Sequence, residues 1–225
     1  MNVYFLSGMC VNCNVFDQIQ LPEGFRKIYL NWHVPEDNES LESYTHNMAK
    51  NIDLSQPFII IGYSLGGIIM QEMNKFLSPK KNILLSSIKA EDEIPQLFQF
   101  AKKIRFANRF PKKLYVINKT ISNLFTHLVY KMSIEEMNRC VVYTCPTYMK
   151  WATLQITNWI PTVACKNLYH IHGTKDQVFP YKKIKDVYTI KNGDHLMVMK
   201  KAEEINKVLN EILINETISK AESDF

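Results

Sequence analysis

A serine in a glycine-bounded turn is the residue of this chain best suited to do chemistry. Ser64 lies in Gly62-Tyr63-Ser64-Leu65-Gly66, with one apolar run before this motif and a second after it. The pattern predicts a buried strand, a tight turn and a helix, in which the two glycines let strand and helix approach closely. Such a turn lifts the serine clear of the backbone. The context therefore predicts that Ser64 is a nucleophile.

The base that this serine needs is predicted to be His195. A serine hydroxyl is a poor nucleophile unless a base takes its proton, and a histidine oriented by a carboxylate is the common solution. His195 follows the last predicted strand, in Asn192-Gly193-Asp194-His195, and precedes the C-terminal helix. A loop at the carboxyl edge of a parallel sheet is where a base can reach a serine raised at the same edge.

The carboxylate partner of the base is predicted to be Asp176. It lies in loop 173–180, directly after the preceding strand, so it belongs to the same sheet edge as the His195 loop. Three other carboxylates stay open as alternatives: Asp194, Glu91 and Asp92. Asp194 would have to fold back on its own neighbour, and the other two follow the fourth predicted strand.

A histidine pair is a second candidate for chemistry, as a metal site. His170 and His172 alternate with Ile171 and so point to one face of their strand. A His-x-His metal pair is conceivable, but no Cys, Asp or Glu stands in a recognisable ligand spacing beside it. A satisfied structural role is favoured for both. Structural roles are also expected for the remaining histidines, His33, His46 and His127.

A cysteine pair offers a second competing chemistry. Cys10-Val11-Asn12-Cys13 has the Cys-x-x-Cys spacing that elsewhere marks redox or metal sites. A thioredoxin-like fold would leave the Ser64 turn and the His195 loop unexplained. Two idle or buried thiols are therefore favoured.

The elements that must position these residues alternate along the chain. Six short apolar runs predict strands buried on both faces, at 3–6, 27–30, 58–61, 83–85, 168–171 and 187–190. Helical patterns lie at 40–51, with Ser40 as N-cap, at 66–77 and at 201–213. Alternating strands and helices predict an α/β layered sheet with right-handed crossovers.

Segment 93–161 differs from the rest of the chain. It contains no clean strand and shows helical periodicity rich in aromatic residues and methionine. We predict a helical lid insertion over 93–161, with 1–92 and 162–225 forming the core domain. Most of its apolar residues are expected to be ordinary helical packing, although as a group they could roof a pocket.

Composition restricts the class of protein. The chain has 225 residues, 46% of them hydrophobic, which suits one core and one domain with an insertion. Its net charge of +5 is spread along the chain, which favours a solvated surface over nucleic-acid binding, although a basic docking patch for an acidic carrier or a membrane stays open. Five cysteines without a framework spacing, no basic leader and no long apolar stretch predict a cytoplasmic protein without a membrane span.

A resemblance to a known family follows from three motifs in chain order: Gly62-Tyr63-Ser64-Leu65-Gly66-Gly67, Gly173-Thr174-Lys175-Asp176 and Gly193-Asp194-His195. Over nearly its whole length the chain resembles the α/β-hydrolase superfamily, most of all its small intracellular hydrolases that lack the first two strands of the sheet. The resemblance implies a three-layer α/β fold with about six mostly parallel strands and a helical lid. It also implies a catalytic triad, because Ser64, Asp176 and His195 match the family order of serine, acid and histidine.

The same resemblance implies an oxyanion hole made of two backbone N–H groups. One comes from the loop after the first strand present and the other from the residue after the nucleophile. By position the donors would be Met9, with Cys10 as its alternative, and Leu65 at a helix N-terminus. The family usually has His-Gly in the first of these loops, whereas this chain has Ser7-Gly8.

The sequence therefore predicts a serine hydrolase that cleaves a carboxylic ester or thioester through an acyl-enzyme on Ser64. The expected partner is a small-molecule substrate with an apolar portion, and no metal or organic cofactor is expected. A peptidase or a carbon–carbon hydrolase stays open on the same scaffold and triad. From a different class, a non-catalytic ligand-binding protein of the same fold is the alternative.

Overall fold

A six-stranded, entirely parallel sheet forms the centre of the computed structural model, which describes residues 1–105, 133–141, 146–162 and 165–221. The strand order is β2-β1-β3-β4-β5-β6. The strands are β1 (Asn2–Leu6), β2 (Arg26–Leu30), β3 (Phe58–Tyr63), β4 (Lys81–Leu85), β5 (Leu168–Gly173) and β6 (Tyr188–Ile190). They coincide with the six predicted strands, with ends that differ by no more than two residues.

Two apolar layers cover the sheet, one on each face. Successive side chains of a strand point to opposite faces, so Tyr4 and Leu6 belong to one core while Val3 and Phe5 belong to the other. Both faces of β3 are buried along its whole length. This explains why the strand sequences are continuous apolar runs rather than alternating ones.

The helices are α1 (Leu41–Ala49), α2 (Leu65–Met73), α3 (Gln96–Lys103), α4 (Ile134–Cys140), α5 (Pro146–Asn158), α6 (Met197–Lys200) and α7 (Ala202–Ala221). Ser40 caps α1 as predicted, since its side-chain oxygen accepts a hydrogen bond from the Ser43 amide at 3.0 Å. The predicted helix 66–77 ends as a regular helix at Met73 and continues to Leu77 through tighter turns. No helix within the described ranges is both long and apolar enough to cross a bilayer.

The helices on the two faces of the sheet contribute to different cores. The first core contains side chains of α1, α2 and α5, and the second contains the apolar stripe of α7 together with the short turn Cys13–Phe16. The C-terminal helix therefore covers one face of the sheet, because Ile205, Leu209 and Ile212 are buried in that second core.

The β4–β5 connection, residues 86–167, contains α3, α4 and α5 and contributes no strand to the sheet in its described parts. The predicted lid 93–161 falls in this connection, and its division from the core stays a prediction. Residues 106–132, which carry many of the aromatic and methionine side chains of that prediction, and 142–145 lie outside the described residues.

Helix α5 is fastened to the first helical layer by two indole groups. The Trp151 ring packs against Tyr44 of α1, and its N–H donates to the Glu39 carbonyl at 2.8 Å. The Trp159 N–H donates to the buried Glu72 carboxylate of α2 at 2.9 Å. The first contact joins the β4–β5 connection to α1, and the second joins it to the helix that follows Ser64.

Candidate active site

Ser64 occupies the turn between β3 and α2 in a backbone conformation that few residues adopt. Its φ is 53° and its ψ is −119°, which is outside the ordinary regions for an L-residue. The Ser64 amide donates to the Leu85 carbonyl at 3.0 Å, and the Ser64 carbonyl accepts from the Ser87 hydroxyl at 2.8 Å. The turn is thus fixed on the end of β4, and strain of this kind is typical of functional positions.

The glycines of the motif are required by close backbone contacts. A Cβ atom added to Gly62 would lie 2.6 Å from the Gly66 carbonyl oxygen, and one added to Gly66 would lie 2.3 Å from the Leu6 carbonyl oxygen. Any side chain there would separate strand, helix and the loop after β1. The prediction that these residues permit a tight bend agrees with the packing.

The loops that carry Asp176 and His195 are joined through their backbones. A Cβ atom on Gly173 would lie 2.3 Å from the Gly193 carbonyl oxygen, so the two glycines lie in direct contact. That same carbonyl accepts a hydrogen bond from the Lys175 amide at 2.8 Å. The contact brings the ends of β5 and β6 together and sets the distance between the two predicted site residues.

The three predicted side chains form a continuous hydrogen-bonded series. His195 Nε2 lies 3.0 Å from the Ser64 hydroxyl oxygen, and His195 Nδ1 lies 2.8 Å from Asp176 Oδ2. The other carboxylate oxygen of Asp176 accepts backbone hydrogen bonds from Val178 and Phe179 at 2.8 and 2.9 Å. A carboxylate that accepts from Nδ1–H leaves Nε2 as an acceptor, which is the form that can take a proton from serine.

Solved structures with this architecture were found by structural comparison. MenH from S. aureus has a TM-score of 0.68 at 14% identity, covering 96% of this chain and 94% of that chain. An esterase from Thermogutta terrifontis has a TM-score of 0.64 at 14% identity, covering 96% and 90%. ClbQ from the colibactin pathway has a TM-score of 0.65 at 12% identity, covering 97% and 98%. The chain has the α/β-hydrolase fold.

The predicted fold class is thereby confirmed, while the likeness at these identities concerns the fold alone. No protein-family model matches the chain, and no curated protein matches it. In this α/β-hydrolase fold the candidate site lies at the carboxyl ends of β3, β5 and β6, as the sequence predicted for Ser64, Asp176 and His195.

The three side chains of the candidate site are largely shielded from water. Ser64 and His195 are each 8% exposed, and Asp176 is 5% exposed. The Tyr63 hydroxyl donates to the His195 carbonyl at 3.0 Å and so supports the histidine loop from within the serine turn. This role of Tyr63 was not predicted. The one signal for it in the sequence is the position of Tyr63 directly before the predicted nucleophile.

A buried histidine lies behind the carboxylate. His172 Nε2 is 2.8 Å from the Phe179 carbonyl oxygen, to which it donates, and 3.6 Å from Asp176 Oδ2. Burial, only partly offset by Asp176 and the Phe179 carbonyl, lowers the pKa of His172. Burial works against ionisation of Asp176, but the hydrogen bond and charge of His195, supported by His172 and the Phe179 amide, outweigh it and lower the Asp176 pKa. The negative charge is therefore available to His195.

The alternative carboxylates lie in other contacts. Asp194 pairs with Lys200 at 2.6 Å and caps the turn that leads into α6. Asp92 pairs with Lys185 at 2.5 Å on the surface, and Glu91 is exposed beside it. Of the candidates weighed from the sequence, Asp176 is the one whose carboxylate contacts His195.

The competing metal and redox patterns lie in buried or partly buried surroundings. The satisfied role predicted for His170 is wrong, because neither of its buried ring nitrogens has a hydrogen-bond partner among the described residues. His170 is buried with its ring centre 5.2 Å from that of His172, and the described residues hold no group of three potential metal ligands. The Cys10 thiol contacts the Met149 sulfur at 3.2 Å in the first core, whereas Cys13 is buried in the second. Burial raises the pKa of the Cys13 thiol to about 11.

The other histidines that were expected to be structural have stacking partners where they are described. His33 stacks on Tyr44 with ring centres 4.3 Å apart, and His46 stacks on Phe76 with ring centres 3.8 Å apart. His127 lies outside the described residues.

The predicted oxyanion donors flank the nucleophile. Leu65 begins α2, and the loop after β1 passes so close to Ser64 that a Cβ atom on Gly8 would lie 3.0 Å from the Ser64 Cβ. In the described part of the chain, neither the Met9 nor the Leu65 amide N–H donates a hydrogen bond to another protein group. Two N–H donors are thus available beside Ser64, and Cys10 follows Met9 with a φ of 64°.

Proposed function

We propose that this protein is a serine hydrolase that cleaves a carboxylic ester or thioester of a small molecule through an acyl-enzyme on Ser64. The observation that carries the proposal is the unbroken series from the Ser64 hydroxyl through His195 to Asp176. When Nδ1 of His195 carries the proton, Nδ1–H donates to Asp176 and the free Nε2 accepts from the Ser64 hydroxyl, as proton transfer from serine requires. The series ends on a buried carboxylate that accepts two backbone hydrogen bonds.

Acylation begins when His195 Nε2 takes the Ser64 hydroxyl proton and the serine oxygen attacks the substrate carbonyl carbon. The carbonyl oxygen becomes an oxyanion, to which the N–H groups of Met9 and Leu65 donate hydrogen bonds. Asp176 stabilises the imidazolium through Nδ1–H. When the carbonyl forms again, the bond to the alcohol or thiol breaks, and His195 Nε2 gives its proton to that leaving group.

Deacylation repeats these steps with water in place of serine. His195 takes a proton from water, the resulting hydroxide attacks the acyl carbon, and the oxyanion is stabilised by the same two amides. The bond to the Ser64 oxygen then breaks, and the proton held by His195 returns to serine. The products are the free acid and the regenerated enzyme.

The surroundings of the site favour a substrate with an apolar portion. Met9 and Cys10, on the loop beside Ser64, pack against the first core, where Cys10 contacts the buried Met149. Apolar walls with a few directed polar groups are typical of sites for small molecules. The similarity to an esterase from Thermogutta terrifontis is compatible with ester chemistry on this fold.

The test is hydrolysis of p-nitrophenyl esters and acyl thioesters of increasing chain length by the wild type and by Ser64→Ala. We expect Ser64→Ala to lower kcat/KM by about 10⁴-fold or more, as loss of a triad serine does elsewhere. Ser43→Ala, at an exposed serine of α1, is the matched control and is expected to keep wild-type turnover.

Turnover by Ser64→Ala close to that of wild type would contradict the mechanism. Amide or carbon–carbon substrates added to the same series would detect a peptidase or carbon–carbon hydrolase. A folded wild type that binds these compounds but cleaves none of them, with binding preserved in Ser64→Ala, would contradict the enzyme assignment and support a ligand-binding protein.

A further inference from the structure

A single carbonyl group closes the loop between β1 and the turn Cys13–Phe16. The Val11 carbonyl oxygen accepts a hydrogen bond from the Ser7 hydroxyl at 2.8 Å and a second one from the Trp32 indole N–H at 3.0 Å. A carbonyl oxygen has two lone pairs, so both are used here. The Ser7 bond spans four residues and encloses the predicted oxyanion segment, Gly8 to Cys10.

The enclosed segment has little freedom of its own. Cys10 has a φ of 64°, a left-handed conformation that non-glycine residues adopt only when their surroundings impose it. The backbone bond that closes the turn, from the Val11 amide to the Gly8 carbonyl, is long at 3.5 Å. Both side-chain hydrogen bonds to the Val11 carbonyl are shorter than this backbone bond and hold the enclosed segment more closely.

One of the two donors is itself held by the β4–β5 connection. The Trp32 ring stacks on Tyr148 of α5 with ring centres 4.4 Å apart. The same connection also reaches the loop directly, because the Asn12 amide donates to the Cys140 carbonyl at 2.9 Å and Val11 forms an antiparallel bridge with Val141. The loop is thus fixed from a region more than 100 residues away in sequence.

We propose that Ser7 and Trp32 are positioning residues for the oxyanion hole, and that the β4–β5 connection sets the geometry of that hole through Trp32. The inference rests on the proposed function. In this protein Ser7 stands where the resemblance would place histidine, and its hydroxyl together with the Trp32 indole fixes the loop that presents the Met9 amide. The connection then contributes to the chemical step.

The test compares Ser7→Ala, Trp32→Phe and the double variant in the full chain. Trp32→Phe keeps an aromatic ring against Tyr148 and removes the N–H donor together with part of the indole ring. Trp151→Phe is the matched control, because it removes an equivalent indole bond, to the Glu39 carbonyl, away from the loop. The measured quantities are kcat and KM for a p-nitrophenyl ester, the inhibition constant of a trifluoromethyl ketone that forms a tetrahedral adduct, and the melting temperature.

We expect each single variant to lower kcat by about 10-fold and the double variant by about 10²- to 10³-fold, which is the usual effect of losing one oxyanion donor. KM should stay within about 3-fold of wild type, because ground-state binding does not use the oxyanion hole. The inhibition constant should rise in parallel with the loss of kcat. A merely structural role would lower the melting temperature without raising the inhibition constant in proportion to the loss of kcat, as we expect for Trp151→Phe.

The inference is overturned if kcat in Ser7→Ala and Trp32→Phe stays within about 3-fold of the Trp151→Phe value, or if kcat falls while the inhibition constant does not change. If the double variant does not fold, the single variants decide the question by the same criteria. A folded wild type that hydrolyses none of the esters would instead contradict the proposed function itself, and with it the role assigned here.

Discussion

The loops that carry Asp176 and His195 are joined to each other by backbone contacts, whereas the loop that follows β1 is held by side-chain donors together with backbone contacts to the β4–β5 connection. In the first case Gly173 lies against Gly193, and the Gly193 carbonyl accepts the Lys175 amide. In the second case the Val11 carbonyl accepts two side-chain donors, one of them from another strand.

This difference decides what each half of the candidate site depends on, where one half is Asp176 with His195 and the other is the loop after β1. Contacts between backbones at adjacent strand ends follow from the strand order and survive most substitutions of neighbouring side chains. A loop held by a hydroxyl and an indole depends on those residues individually. The position of Asp176 and His195 therefore depends on the sheet, whereas the proposed oxyanion hole depends on a few side chains and on the β4–β5 connection.

The largest effect is expected from the carboxylate in the half joined by backbone contacts. Asp176→Asn should lower kcat by about 10⁴-fold, because an amide cannot favour the tautomer and charge that His195 needs. Asp194→Asn is the matched control and should change kcat by less than about 3-fold, since its carboxylate pairs with Lys200. Steady-state kinetics on the ester used above measure both. The reverse order of effects would mean that the acid has been wrongly assigned.

A smaller effect tests whether backbone contact really positions this half. Gly173→Ala would place a Cβ 2.3 Å from the Gly193 oxygen and force the two loops apart. We expect it to lower kcat by about 10²-fold, the cost of displacing reacting groups by about 1 Å, and to destabilise the fold by about 1–3 kcal/mol.

Gly24→Ala provides the comparison for this variant. Gly24 has a φ of 84° with open space around it, so alanine there strains the backbone by about 1–2 kcal/mol without touching the site. Activity per folded molecule should then match wild type. Equal kcat in the two glycine variants would remove the claim that the Gly173 contact positions Asp176 and His195.

The smallest effect concerns the buried histidines beneath Asp176. Burial, with the neighbouring charges of His172 and Lys89, holds the pKa of His170 well below its ordinary value. The unfolded chain therefore binds the proton first, and stability falls as pH drops below about 6.5, by up to about 1.4 kcal/mol per pH unit for one such group.

His170→Phe keeps a ring at this position and cannot titrate. Urea unfolding at pH 7, 6 and 5 should show a weaker pH dependence for this variant than for wild type, while His46→Gln, at an exposed histidine, should follow wild type. An unchanged pH dependence in His170→Phe would show that His170 does not contribute.

The part of the site joined by backbone contacts was also the part that the sequence could predict. Ser64, Asp176 and His195 each follow an apolar run, and parallel strands bring their carboxyl ends to one edge. Local signals were sufficient there, because the glycines of each motif mark where backbones approach. The same reasoning predicted all six strands and the Ser40 cap.

The loop after β1 could not be predicted in the same way. Nothing in the spacing of Ser7 and Trp32 shows that both donate to Val11, since that contact depends on β2 lying beside β1 and on a rotamer fixed by Tyr148. The parallel pairing of β1 with β2 alone would have placed Trp32 at the same sheet edge as Ser7. Its hydrogen bond required the packed structure.

Activation of Ser64 by His195 and Asp176 is tested most directly with a fluorophosphonate. Wild type and Ser64→Ala are incubated with the reagent, and intact mass and peptide mapping are then measured. An activated serine reacts with this reagent and an ordinary surface serine does not. We expect a single adduct on wild type, mapped to Ser64, and none on Ser64→Ala. No adduct on folded wild type, or the same adduct on both proteins, would contradict the claim that His195 and Asp176 activate Ser64.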